Sequence, residues 1–258
     1  MKRATLVFTL TALLLLGLAP GCSRGVAGSG KLETREYNIS GFSGVAADDA
    51  FNVEVREGRA HSVSVTADSN VFKYLDVRRK GSTLQLGLKA GAPVTGATLS
   101  AVVTTPRLEA VALSGASDGS ITGFRGSLPL TLTLSGASSL AIDDAKTART
   151  SVTLSGGSDL TGKMATTSIT FSLSGASAVT LRGTAADATV TASGGSHVDL
   201  QSFVAKNATV NLSGASNGFV FANGDLRVKL SGASHLDYDG NPRLRAVDVS
   251  GGSSLREV

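Results

Sequence analysis

Three histidines, one cysteine and a scatter of carboxylates are the residues of this 258-residue chain best equipped for chemistry. His197 and His235 each directly follow a short serine-glycine tetrapeptide, SGGS before the first and SGAS before the second; His61 stands far from both. Asp199, Asp237 and Asp239 come within four residues of those two histidines. Imidazole and carboxylate together suit a divalent metal such as zinc. Paired carboxylates suit acid–base cleavage of a glycosidic bond. Either use requires the groups to converge, so the elements that carry them decide the matter.

Those elements are repeats. The serine that opens SGAS or SGGS falls at Ser114, Ser135, Ser155, Ser174, Ser193, Ser213, Ser231 and Ser250, with gaps of 21, 20, 19, 19, 20, 18 and 19 residues. A near-constant period of this length marks stacked units, none of which buries its apolar face alone. Apolar residues alternate before each tetrapeptide (Leu132/Leu134, Val152/Leu154, Phe171/Leu173) and after it (Leu140/Ile142, Val179/Leu181, Val198/Leu200), the period of a half-buried strand. No stretch of useful length repeats every 3.6 residues. The pattern predicts an all-β fold, a parallel β-solenoid or single-stranded β-helix of about 19–20 residues per coil. Each coil would be a strand, a tight turn, a second strand and a looser polar return, stacked at about 4.8 Å so that eight coils span roughly 35 Å. The tetrapeptide is then a corner. Glycine supplies a backbone conformation that other residues avoid, alanine keeps the bend narrow, and serine hydroxyls satisfy backbone polar groups.

Stacking separates the reactive residues. His197 and His235 would face outward two coils and about 10 Å apart, too far to share a metal directly. The equivalent slot elsewhere holds Asp118, Ser139, Asp159, Ala178, Asn217 and Ser254, a mixture that suits a solvated position. No metal or cofactor is expected. "SGGSDLT" is similar to a calcium-binding nonapeptide, but its caging aspartate does not recur. Short, uniform returns leave little material for the groove of a polysaccharide lyase, so no catalytic residue is assigned. One outward row is more regular: Thr131/Thr133, Ser151/Thr153, Thr170/Ser172, Thr189/Thr191 and Thr209/Asn211, breaking to Arg227/Lys229. Threonine is a good former of exposed strands in any case. A flat hydroxyl ladder would also suit a glycan, a protein or ordered water, and Thr131, Thr133, Thr153, Thr170, Thr189, Thr191 and Thr209 form the candidate binding row.

The ends are different in character. Lys2 and Arg3 precede an apolar run from Leu6 to Ala19, and "LAPGC" ends at Cys22, the only cysteine. Residues 1–21 read as an export signal of the lipoprotein type, with Cys22 as the lipid acceptor and Pro20 a less usual residue for such a box. The run is short for a membrane span. Ser23, where some bacteria use aspartate to retain lipoproteins at the inner membrane, favours the outer membrane. Residues 22–35, with the Gly/Ser-rich stretch "SRGVAGSGK", read as a flexible tether. Residues 36–105 keep a strand rhythm in "FNVEV", "SVSV" and "TLQLGL" and read as irregular β coils that cap the solenoid of residues 106–258, the whole of 36–258 being one domain. The last coil, "GGSSLREV", is either blunted by Arg256 and Glu257 or covered by another chain, so a homo-oligomer through solenoid ends is one expectation.

Composition narrows the class. A hydrophobic fraction of 41% with 17% charged residues argues against disorder. Lys and Arg number 24 against 20 acidic residues, and removing Lys2 and Arg3 with the signal leaves 22 against 20. That balance implies no nucleic acid or other polyanionic partner. Arg78, Arg79 and Lys80 precede Gly81 and read as a solvated turn.

The run "NISGFSGVAADDAFNVEVREGRAHSVSVTADSNV", then "LDVRRKGSTLQLGL" and repeated "LSGAS", resembles the family known as putative auto-transporter adhesin, head GIN domain, over roughly residues 36–258. The resemblance implies a right-handed β-helix shaped like the pectin lyases but lacking their catalytic residues, and a role in adhesion or other envelope binding. The expected protein is a non-catalytic, lipid-anchored binding module of the cell envelope. The competing readings are an enzyme acting on envelope polysaccharide and an accessory of envelope signalling or stress.

Overall fold

The computed structural model describes residues 25–258. The leader 1–21, the acceptor Cys22 and the start of the tether lie outside the described residues.

The alternating runs fold as half-buried strands stacked in parallel, residue on like residue. Before the corner, Leu134 sits on Leu154, then Leu173, Ala192, Leu212, Leu230 and Val249. After it, Leu140 leads through Leu160, Val179, Val198, Gly218 and Leu236 to Leu255. Leu134, Leu154, Leu160 and Val198 are wholly buried. These aliphatic columns are the core, and each strand's backbone is satisfied by the coils on either side, which is why one repeat cannot stand alone.

The polar returns are more ordered than their composition predicts. Strands run unbroken through them, as in Ser139–Leu154, Asp159–Leu173, Ala178–Ala192 and His197–Leu212. Ala145–Thr147, Met164–Thr166, Gly183–Ala185 and Phe203–Ala205 pair in parallel as a third wall. Ala145, Met164 and Phe203, with Gly183 between the last two, form its inward column, and Ala185 and Ala205 are buried in the inward column two residues on; the outward Lys and Arg of the same stretch obscure both in the sequence. Register shifts where this wall begins, between Ile142 and Ala145 or Leu200 and Val204, absorb the variation in repeat length.

The tetrapeptides are the corners, as expected. Their first glycines sit in the left-handed region, Gly136, Gly156, Gly175 and Gly194 at φ of 74 to 76°. Gly156, Gly175 and Gly194 each lie over the glycine of the coil before, whose carbonyl accepts the next backbone N–H, as Gly175 O does from Gly195 N at 2.8 Å. In the six corners that close at Ser138, Ser158, Ser177, Ser196, Ser216 and Ser234 this serine is buried, and its hydroxyl donates across the bend to the carbonyl of the opening serine, Ser177 to Ser174 at 2.9 Å and Ser196 to Ser193 at 2.8 Å.

The N-terminal part is irregular in a specific way. Gly44–Ala47 and Asn52–Glu57 join the parallel columns beside Ala110–Leu113 and Asp118–Thr122. The corner between them is "DDAF", with Asp49 and Ala50 both at positive φ. Beyond it the pairing turns antiparallel: Ser62–Asp68 runs between Leu99–Thr105 and Leu32–Glu36, and Leu75–Lys80 forms a hairpin with Thr83–Leu88. Arg78, Arg79 and Lys80 are exposed as they approach its turn. Antiparallel strands end the parallel stack here, in keeping with a cap.

The tether expectation is corrected. From Gly25 onward its residues belong to the fold: Val26–Ala27 pairs with Val94–Thr95, and Leu32–Glu36 is a strand of the antiparallel sheet. The glycines that suggested flexibility serve close approach instead. Buried Asp68 accepts from Gly30 N at 2.6 Å and Thr98 N at 2.8 Å, and a Cβ on Gly28 would stand 2.5 Å from its carboxylate.

Candidate functional site

The hydroxyl row forms one continuous surface. Thr131 registers with Ser151, Thr170, Thr189 and Thr209, and Thr133 with Thr153, Ser172, Thr191 and Asn211. Because Leu132, Val152, Phe171 and Val190 point inward, the intervening hydroxyls must point out. The result is a grid with spacings of about 4.8 Å along the rod and about 7 Å across it. Most members are exposed, with Thr189, Thr209 and Asn211 half-buried. Among the described residues none of these hydroxyls makes a side-chain hydrogen bond within the protein, so their donors and acceptors face outward uncommitted.

The grid has distinct borders. On one side the columns pass to Arg227 and Lys229, then Ala246 and Asp248. On the other they pass to Ala110 and Ala112 and then to Gly44 and Ala46. The loss of side-chain height there opens a bay of about 290 Å³ floored by Ala46 and Ala112 and edged by Asp48, Asp49 and Asp76. The sequence reading missed this bay, although the alanines at the equivalent positions were a visible signal.

The histidines and carboxylates belong to the adjoining wall. His197, Asn217 and His235 form one column, and Asp199, Phe219 and Asp237 the next. The two histidines are therefore separated by a whole coil. His235 Nε2 lies 3.0 Å from Asp237 Oδ1, and its Nδ1 lies 2.6 Å from Ser254 Oγ. Arg256 grips the same carboxylate with Nε and Nη2, each at 2.8 Å. This guanidinium, helped by His235, holds the Asp237 carboxyl below the ordinary aspartate value against the opposing effect of burial. Asp239 accepts its neighbour's Gly240 N at 2.6 Å, and Asp199 accepts Gln201 N at 3.0 Å. His61 stands apart, donating from Nε2 to the Phe42 carbonyl at 2.8 Å. Among the described residues no three groups of metal-ligating type gather as a metal site, and no helix is long and apolar enough to cross a membrane.

A rod of stacked strands with serine-glycine corners, an apolar interior and repeating polar faces defines a β-solenoid protein of the kind that presents surface rather than a deep cleft. Residues 41–242 match the family described as "putative auto-transporter adhesin, head GIN domain", and the chain belongs to that family. Such membership groups it with adhesin-type proteins of the cell envelope or surface. Solved structures share the fold at low identity. A "putative lipid binding protein" from Parabacteroides distasonis superposes with a TM-score of 0.85 at 20% identity, over 90% of this chain and 99% of its own. A "putative adhesin" from the same organism gives 0.80 at 18% identity, over 90% and 99% of the two chains. One from Bacteroides fragilis gives 0.72 at 18%, over 91% and 100%. Among curated proteins no match is found.

Proposed function

We propose that this protein is a non-catalytic adhesion module of the cell envelope, anchored by lipid at Cys22 and facing the outer membrane's environment. Its hydroxyl grid engages a repetitive partner, a glycan in the first instance. The observation that carries this reading is the grid itself: two outward columns in unbroken register over five coils, one of five hydroxyls and one of four that ends at Asn211, with none of these hydroxyls used internally among the described residues. Evenly spaced weak contacts add steeply when the partner repeats too. A non-catalytic role accords with the commitment of Asp237 to Arg256 and His235 and of Asp239 to its own turn.

The test is glycan-array binding by the full chain in a sugar-free detergent, compared with a variant carrying Thr153→Arg, Thr170→Arg and Thr189→Arg. Arginine at an outward strand position leaves the core intact but breaks the grid, and binding should weaken by roughly tenfold or more if several contacts are lost together. Unchanged binding in the variant would remove the grid from the function. The lipid at Cys22 is checked separately, by mass spectrometry of the chain and of Cys22→Ser after expression in a bacterium.

A further inference from the structure

The wall beside the hydroxyl grid carries one feature that neither the repeat nor the core explains. Phenylalanine is scarce in this protein, and Phe42, Phe51, Phe72, Phe124, Phe171 and Phe203 are all buried. Phe219 is not: it occupies an outward strand position, partly exposed, and is absent from the apolar side chains packed against the core. Its neighbour Phe221 is accounted for, because its ring lies 2.8 Å from where a Cβ on Gly240 would stand and so covers the next coil's turn. Phe219 instead lines an open depression on its wall.

What surrounds Phe219 is ordered by register. Asp199 stands in the coil before it and Asp237 in the coil after, in the same outward column. Asn217, two residues earlier on the strand, is flanked in its own column by His197 and His235. An aromatic residue therefore lies at the centre of a three-by-two grid, a carboxylate on each side and an amide with two imidazoles along one border. These six residues line an open depression of about 230 Å³. Successive strands are about 4.8 Å apart, so the two carboxylates bracket a gap of about 10 Å, room for one six-membered ring over the phenylalanine.

The geometry points to this depression as a subsite for a single pyranose unit. An apolar aromatic surface accepts the C–H face of a sugar ring, while the Asp199 carboxylate accepts from its hydroxyls and the Asn217 amide and His197 imidazole donate to them; an apolar platform with a few placed polar groups is the usual construction of a small-ligand site. Charge argues for a neutral ligand over a cation. Asp237 is already matched by Arg256, leaving Asp199 as the carboxylate of the pair with no ion-pair partner among the described residues. The subsite rests on the binding-module reading for its biological sense but uses a different wall, so either can fail without the other.

Saturation-transfer difference NMR of the full chain, in a sugar-free detergent, with methyl α-D-mannopyranoside, methyl β-D-glucopyranoside and methyl β-D-galactopyranoside, tests the assignment. At least one should receive saturation, strongest at the C–H protons of one ring face. Phe219→Ala should lower that transfer about fivefold, the worth of one aromatic face. Phe219→Tyr should retain it and Asp199→Asn should weaken it, so the outcome does not depend on one variant's folding. The triple threonine-to-arginine variant of the grid should leave it unchanged. No transfer to any of the three sugars, or transfer that persists in Phe219→Ala, overturns the proposal. Transfer to tetramethylammonium with none to the sugars overturns it in favour of a cation site.

Discussion

Gly194 and Gly195 are adjacent, chemically identical and in one corner, yet the same substitution should affect them very differently. Gly194 has φ of 76°, and a Cβ there would stand 2.5 Å from the Gly175 carbonyl oxygen and 3.1 Å from the Gly175 nitrogen in the coil before. Placing alanine in the left-handed region costs about 1–2 kcal/mol. The clash falls on the carbonyl that accepts Gly195 N at 2.8 Å, and loosening that bond costs about 1 kcal/mol more. Gly194→Ala is thus expected to lose about 3 kcal/mol, a large share of the 5–15 kcal/mol typical of a folded domain. At Gly195 the nearest atom a Cβ would meet is 4.0 Å away, and the coils on either side already carry Ala176 and Ala215. Gly195→Ala should fall within about 0.5 kcal/mol of the parent, on the stabilising side if anything, because alanine restricts the unfolded chain. Urea unfolding of the full chain followed by far-ultraviolet circular dichroism reads the difference, and hydrogen exchange at Ser174–Ser177 and Ser193–Ser196 localises it. Equal losses in the two variants, or none in Gly194→Ala, would refute glycine-on-glycine stacking as the reason for the tetrapeptide.

The closing serines allow a second contrast. Ser177→Ala removes a buried hydroxyl that donates at 2.9 Å and should cost about 1 kcal/mol, whereas Ser117 Oγ is buried with no hydrogen-bond partner and Ser117→Ala should be neutral or slightly stabilising in the same urea assay. The last coil should also loosen in acid. Arg245, with Arg243, lowers the Asp225 carboxyl, and Arg256, with His235, lowers that of Asp237. A folded-state value below the unfolded one gives stability that is present above the ordinary aspartate value of about 3.9 and lost as pH falls through the folded values. Exchange at Arg243–Glu257, corrected for intrinsic rate, should be level from neutral pH to about pH 5 and rise below about pH 4; no rise on acidification would contradict the ion pairs' role. Leu244, Val247 and Val249 are 46%, 47% and 41% exposed on a strand paired along one edge among the described residues. Concentration-dependent association by sedimentation is therefore expected, with Val247→Lys plus Val249→Lys abolishing it; a parent chain monomeric at high concentration would remove this contact.

Much of the fold was legible because it is periodic. The pairs Leu132/Leu134 and Leu140/Ile142 announce inward columns, and the interval between tetrapeptides announces which residues lie over one another. The third wall was not legible, since only one or two apolar residues per coil are buried there, Ala145, Met164, Ala185, or Phe203 with Ala205, too few among polar neighbours to announce a strand. The tether misled because composition cannot distinguish a glycine that confers freedom from one that lets Asp68 approach. The threonine grid could be read directly, but the setting of Phe219 could not: the sequence shows a phenylalanine between glycine and valine, and only coil-to-coil register puts Asp199 and Asp237 on either side of it.

That difference follows from how a solenoid encodes its surface. Stacking imposes a demand on every inward and corner position, and the demand is nearly the same in each coil, so the sequence there repeats. Outward positions escape it, needing only to be soluble and compatible with a strand. An outward column that nevertheless repeats, as the threonines do through five coils, signals a property of the whole face, suited to an extended partner. An outward residue that breaks its column with a solvation cost, as Phe219 does between two aspartates, signals a local property suited to a small one. In this protein the two signals fall on adjoining walls of the same coils, Thr189/Thr191 and Thr209/Asn211 before the corner and His197, Asn217 and Phe219 after it. A glycan chain laid across the corner could therefore touch the grid with several units and the phenylalanine with one, and loss of Phe219 would then change which sugars bind more than how tightly the chain is held.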